Sequence, residues 1–195
     1  MSYSYYNRYR RVIAGGEIGE PASWVLGILA VMVAWVGFWG LFHPLSPYVV
    51  WSATGILLGF LVHEAMHKYT ARRYGFISEF VASVPWLTIT ILSSFLPFRI
   101  LAPGYVRILA IRTYSPRQAV IATAAGPASN IALAVILLGV STLVPGARVA
   151  AEVNAWLAFF NLLPIPPLDG SKIAEYDVRW WVLLFIAAAL LMYLS

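Results

Sequence analysis

Residues 49–67 read VVWSATGILLGFLVHEAMH. The run Val49 to Val62 carries no charge and leads directly into His63-Glu64-Ala65-Met66-His67. In lipid such a run is a helix by default, because the surroundings offer an open backbone no hydrogen-bond partner. On a helix, positions i and i+4 share a face, so the two imidazoles can reach one metal ion. Glu64, next to the first of them, is the residue type and position for a general base acting on water. Such a pentapeptide arises by accident in on the order of one chain in two hundred of this length. The chain has only three histidines, and two of them are here. Near the end of an apolar helix, unpaired polar groups are costly, so these side chains need either a metal or partners on neighbouring helices.

Working outward, the composition says what surrounds that helix. Of the 195 residues, 61% are hydrophobic and 11% charged, against roughly 25% charged in a soluble domain. Lipid is therefore expected around much of the chain. The net charge of +5 does not argue for nucleic acid, because the basic residues sit in short clusters between apolar runs, as topology signals do. Cysteine is absent, which excludes disulfides, thiolate nucleophiles and Cys-type zinc sites.

The other apolar segments are Trp24–Phe42, Phe80–Phe98, Ala119–Ala147, Val153–Leu168 and Trp180–Ser195. The first reads as a retained helix, not a signal peptide. Phe80–Phe98 contains Pro85 and Pro97 and decides the topology. As a span, it divides the 13 basic residues 6 against 7. As an element that dips in and returns, it leaves every one except Arg148 on one side. The positive-inside rule favours the second arrangement. The expected fold is an all-α polytopic membrane protein with about five transmembrane helices, a re-entrant apolar segment and a cytoplasmic N-terminus in the cell membrane. An ordinary sixth helix is the alternative. Cysteines introduced at 78 and 104 should then label from the same side. The expected organisation is one domain over 1–195, with a cytoplasmic segment at 1–23.

A catalytic zinc usually takes three protein ligands. Asp169 follows directly on the Val153–Leu168 run, whereas most other acidic residues fall in loops or at span edges. The prolines of Asn161-Leu162-Leu163-Pro164-Ile165-Pro166-Pro167-Leu168-Asp169-Gly170 forbid a regular helix there, and unwound backbone at membrane depth marks a site in many membrane proteins. The bland alternative is a helix-ending turn with Asp169 as a cap. In the re-entrant topology the His63 helix and the Val153–Leu168 helix end on the same side, so Asp169 can meet the imidazoles. One zinc at +2 with Asp169 and Glu64 at −1 each makes a neutral cluster, the affordable arrangement in low dielectric.

Three motifs together resemble the site-2 protease family of intramembrane zinc metalloproteases. They are HEAMH at 63–67, AAGPASN at 124–130 and NLLPIPPLDG at 161–170, within a catalytic core of about 51–172. The resemblance implies His63, His67 and Asp169 as ligands of one zinc per chain, Glu64 as the catalytic glutamate, and Asn161 near the reacting carbonyl. It implies peptide-bond hydrolysis in transmembrane protein substrates, in a compact form without a PDZ domain in this sequence. The rival class is a non-proteolytic zinc-binding membrane protein, either an inactive homologue or a transporter. A transporter should show two related halves, and no internal repeat is present. Three smaller readings complete the expectation. Gly126-Pro127 kinks its helix at the depth of the metal, Asn130 hydrogen-bonds between helices, and the stretch from Tyr105 to Arg112 forms a strand edge for an opened substrate.

Overall fold

The computed structural model describes residues 19–40, 42–109 and 115–195. Arg8, Arg10, Arg11, Arg112 and most of the 1–23 segment lie outside them. The described residues form seven α-helices and a two-stranded antiparallel sheet. Helix α1 is Glu20–Gly40, and α2, Pro47–Arg73, carries both histidines. Next come β1 (Ile77–Ala82), the short α3 (Val84–Leu92) with a 3-10 turn at Ser93–Phe95, and β2 (Gly104–Leu109). Helices α4 (Pro116–Ser141), α5 (Ala147–Asn161), α6 (Asp169–Tyr176) and α7 (Val178–Leu194) complete the chain.

Local chemistry sets the ends of the long helices. Ser46 caps α2 through Val49 N at 3.3 Å, with Pro47 in the first turn, where a missing N–H costs nothing. Arg72 and Arg73 close its last turn, and Gly75 at φ 81° turns the chain into β1. Ser115 and Gln118 form a capping box on α4. Within α1 the helix breaks at Gly37, whose φ of 72° suits only a residue without Cβ.

Several expected boundaries move. The apolar run Ala119–Ala147 splits: α4 stops at Ser141, and α5 begins at Ala147. The run Val153–Leu168 is helical only to Asn161, as its prolines require. Helices α1, α2 and α4 are long and apolar enough to cross a membrane, whereas α7 and Val84–Phe95 are shorter.

The segment Phe80–Phe98 goes out and comes back. Strands β1 and β2 pair with Ala82 opposite Gly104, and Ser83 N donates to Pro103 O at 3.2 Å. Its base lies at the start of α1, where Phe80 N donates to Glu20 Oε1 at 3.0 Å. Its turn lies at the other end of α1, with Arg99 beside Gly37. Arg99 therefore sits at the tip of the excursion and does not belong with the loop charges at its base.

The core is a close assembly of α2, α4 and α5. Helices α2 and α5 run parallel with glycines at the contact. A Cβ on Gly55 would lie 2.7 Å from Ala150 Cα, and one on Gly59 would lie 2.7 Å from Asn154 Oδ1. Small residues at four-residue spacing let apolar helices approach this closely. An aromatic cluster of Trp24, Phe60 and Phe80, with centroids 5.0–6.2 Å apart, seats the hairpin against α1 and α2.

Candidate metal centre

His63 and His67 lie one turn apart on the buried face of α2. The unwound stretch after α5 returns the chain so that α6 begins with Asp169 against them. His63 Nε2 and His67 Nε2 are 3.0 Å apart. Asp169 Oδ2 is 3.1 Å from His67 Nε2 and 3.3 Å from His63 Nε2. A tetrahedral zinc with bonds of about 2.0–2.1 Å holds its ligand atoms about 3.3 Å apart, close to these spacings.

The hydrogen bonds behind the imidazoles test the fit to a metal. His63 Nδ1 is 2.6 Å from Asn130 Oδ1, and His67 Nδ1 is 2.8 Å from the Ala122 carbonyl. Both partners are acceptors, so each Nδ1 carries the proton and each Nε2 turns a lone pair inward. Two such lone pairs and a carboxylate oxygen facing one another in a buried site repel unless a cation lies among them. The donor set therefore fits zinc. Lys172, one turn along α6, approaches Asp169 Oδ1 at 3.8 Å and leaves Oδ2 toward the histidines.

Gly126 closes the back of the site. A Cβ there would fall against His67 Nε2 and lie 2.7 Å from His63 Nε2. The expected depth of Gly126-Pro127 is thus observed. Helix α4 continues through Pro127, and the role of Gly126 is close approach to the imidazoles.

Glu64 is 8% exposed, and its Oε2 has no hydrogen-bond partner among the described residues. It faces a cavity of about 80 Å³, also walled by Asn161, Asp169, Trp86 and the Gly104–Val106 stretch of β2. That space has room for more than one water. Asn161 donates Nδ2 to the Leu157 carbonyl at 3.0 Å while its side chain borders the cavity. All five candidate residues are therefore brought to one cavity. Sequence reasoning missed Trp86, Lys172 and Asn154. Asn154 is wholly buried and bonded to Asn130 at 3.1 Å, and the available signal was an amide in the apolar run after Val153.

The sequence profile of peptidase family M50 matches residues 51–154. Relatives that bear the name "Putative zinc metalloprotease" include the following three. One from Methanocaldococcus jannaschii is 35% identical over 134 residues, covering 64% of this chain and 69% of its own. Rip2 of Mycolicibacterium smegmatis is 32% identical, covering 84% of this chain and 67% of its own. YwhC of Bacillus subtilis is 30% identical, covering 69% of this chain and 72% of its own. No solved structure matches the chain. With these likenesses added to the geometry, the chain belongs to peptidase family M50, the site-2 protease family, and is a membrane metalloprotease.

Proposed function

We propose that this protein is a zinc-dependent intramembrane endopeptidase that hydrolyses peptide bonds within or beside transmembrane segments of other membrane proteins. The observation that carries the reading is that Asp169 meets His63 and His67 on α2, a helix long and apolar enough to cross a membrane. His63 lies nine residues before Arg72, roughly 13 Å along the helix. With Arg72 at the cytoplasmic interface, the chemistry falls inside the bilayer, nearer the cytoplasm. The reading takes residues 1–195 as one domain with a core over 51–172, in the cell membrane with a cytoplasmic N-terminus.

His63, His67 and Asp169 would hold the zinc, which when bound supplies Lewis acidity for the scissile carbonyl and lowers the pKa of water at the site. Glu64 takes a proton from the attacking water and delivers it to the leaving amine. Its place on the cavity wall beside the His63, His67 and Asp169 cluster supports that role. Asn161 offers its remaining amide hydrogen to the developing oxyanion. A substrate helix hides its peptide bonds in its own hydrogen bonds and must open. The β2 stretch on the cavity wall provides backbone against which an opened segment can lie as a strand. Glu20 occupies Phe80 N of β1, so β2 is the better receiving strand.

The test is the purified chain in liposomes with a transmembrane substrate. Zinc-loaded protein should cut in the cytoplasmic half of the span, read by product mass. Cleavage confined to extramembrane loops would overturn the intramembrane reading.

A further inference from the structure

Behind His63 the hydrogen bonds do not stop at Asn130. Asn130 Nδ2 donates to the Gly59 carbonyl and to Asn154 Oδ1, both at 3.1 Å. Asn154 Nδ2 in turn donates to the carbonyls of Gly55 at 3.2 Å and Ala150 at 2.9 Å. Both amides are fully buried, and the chain of bonds crosses α4, α5 and α2 in turn.

Each link has only one workable orientation. Both Asn154 Nδ2 hydrogens face carbonyls, so its Oδ1 must face Asn130. Asn130 then presents Nδ2 to Asn154 and Gly59, and only Oδ1 is left for His63. An amide turned end for end at either position would set donor against donor or acceptor against acceptor, at the cost of a buried unmade bond. Asn154 touches neither the metal cluster nor the cavity, yet together with the Gly59 carbonyl it fixes which atom of Asn130 meets His63.

We propose that Asn154 is a positioning residue for the metal centre, acting on His63 through Asn130. With the Gly59 carbonyl it holds Asn130 in the orientation that turns His63 Nε2 toward the site, and it ties the register of α5 against α2 to metal affinity. The proposal rests on the metal-site reading above. Gly59 makes room for the contact, since a Cβ there would meet Asn154 Oδ1.

The experiment is zinc affinity by chelator competition on the purified full chain, with thermal melting in parallel. Asn154→Ala should weaken zinc binding about ten-fold, the lower end for partners behind a metal ligand. Asn130→Ala should weaken it at least as much. The double variant should bind zinc no more weakly than Asn130→Ala alone, because one route is cut twice. Wild-type zinc affinity in Asn154→Ala overturns the proposal, whatever its melting temperature, and so do fully additive losses. Should Asn154→Ala fail to fold, Asn154→Ser is read the same way. Its hydroxyl satisfies itself on the Ala150 carbonyl but is too short to hold Asn130. His63→Ala separates the two failures. Intact zinc binding in that variant overturns the metal centre and this proposal with it. Zinc lost there but held at wild-type affinity in Asn154→Ala overturns only the positioning role.

Discussion

Glu64 and Asp169 are both buried carboxylates in one cavity, and their partners separate their roles. Asp169 is held by two imidazoles and approached by Lys172, whereas Glu64 keeps an oxygen without a partner among the described residues. Glu64→Gln should therefore retain zinc and lose cleavage by about 10²–10⁴-fold, the usual worth of a positioned acid–base group; wild-type turnover in that variant would remove Glu64 as the base. Asp169→Ala leaves two ligands and should lower the zinc content of purified protein, and full occupancy by elemental analysis would exclude it as a ligand. Gly126→Ala pushes a methyl group against both Nε2 atoms. It should reduce zinc content as severely as loss of a ligand, which equilibrium dialysis checks. These residues differ in how legible they are. HEAMH announces itself because helical spacing alone puts its histidines on one face. Gly126 lies in a readable motif, but that its missing Cβ is filled by two imidazoles depends on where α4 packs.

At the scale of elements, the excursion between β1 and β2 matters most. Its ends are paired in register and its turn lies beside Gly37. Charge counting anticipates the return, since a span would divide the 13 basic residues 6 against 7, although Arg99 lies at the tip and not with the charges at the base. The strands are harder to foresee, because β1 reads as the start of an apolar run. Labelling positions must follow the structure. Ser78 is buried, and a Cβ on Gly104 would run into the backbone of Val81 and Ala82. Tyr74 and Ser115 are exposed at the two outer ends of this region, and Leu143 is 86% exposed in the turn between α4 and α5. Cysteines at 74 and 115 should react with a membrane-impermeant reagent from the cytoplasmic side, and one at 143 from the opposite side. Labelling of 74 and 115 from opposite sides would make the segment a true span.

At the scale of the whole molecule, the proposed metal ties α2 to α6 through side chains more than a hundred residues apart in the chain. Removing it leaves inward-facing lone pairs and a carboxylate to repel one another. Chelation should lower the melting temperature, and added zinc should restore it. At free zinc of 100 Kd the stabilisation is about 2.7 kcal/mol, and differential scanning fluorimetry with and without chelator reads it. An unchanged melting temperature would mean that the three side chains do not share a metal in the folded protein.

Apolar runs, loop charges and the histidine spacing were enough, without coordinates, to predict a membrane-embedded helical protein with a metal on the second long helix. They also predicted Asp169 as the ligand supplied from afar, because period and charge are local properties that survive without a fold. Where apolar runs end as helices was less legible. The run Ala119–Ala147 contains a turn that hydropathy does not register, since Leu143 and Val144 are as apolar in a turn as in a span. The Asn130–Asn154 link, the closure by Gly126 and the approach of Trp86 and β2 to the cavity were decided only by tertiary structure. Each depends on the register of one helix against another, and that register is set by glycine-to-alanine contacts such as Gly55 on Ala150. No single segment contains both halves of such a contact.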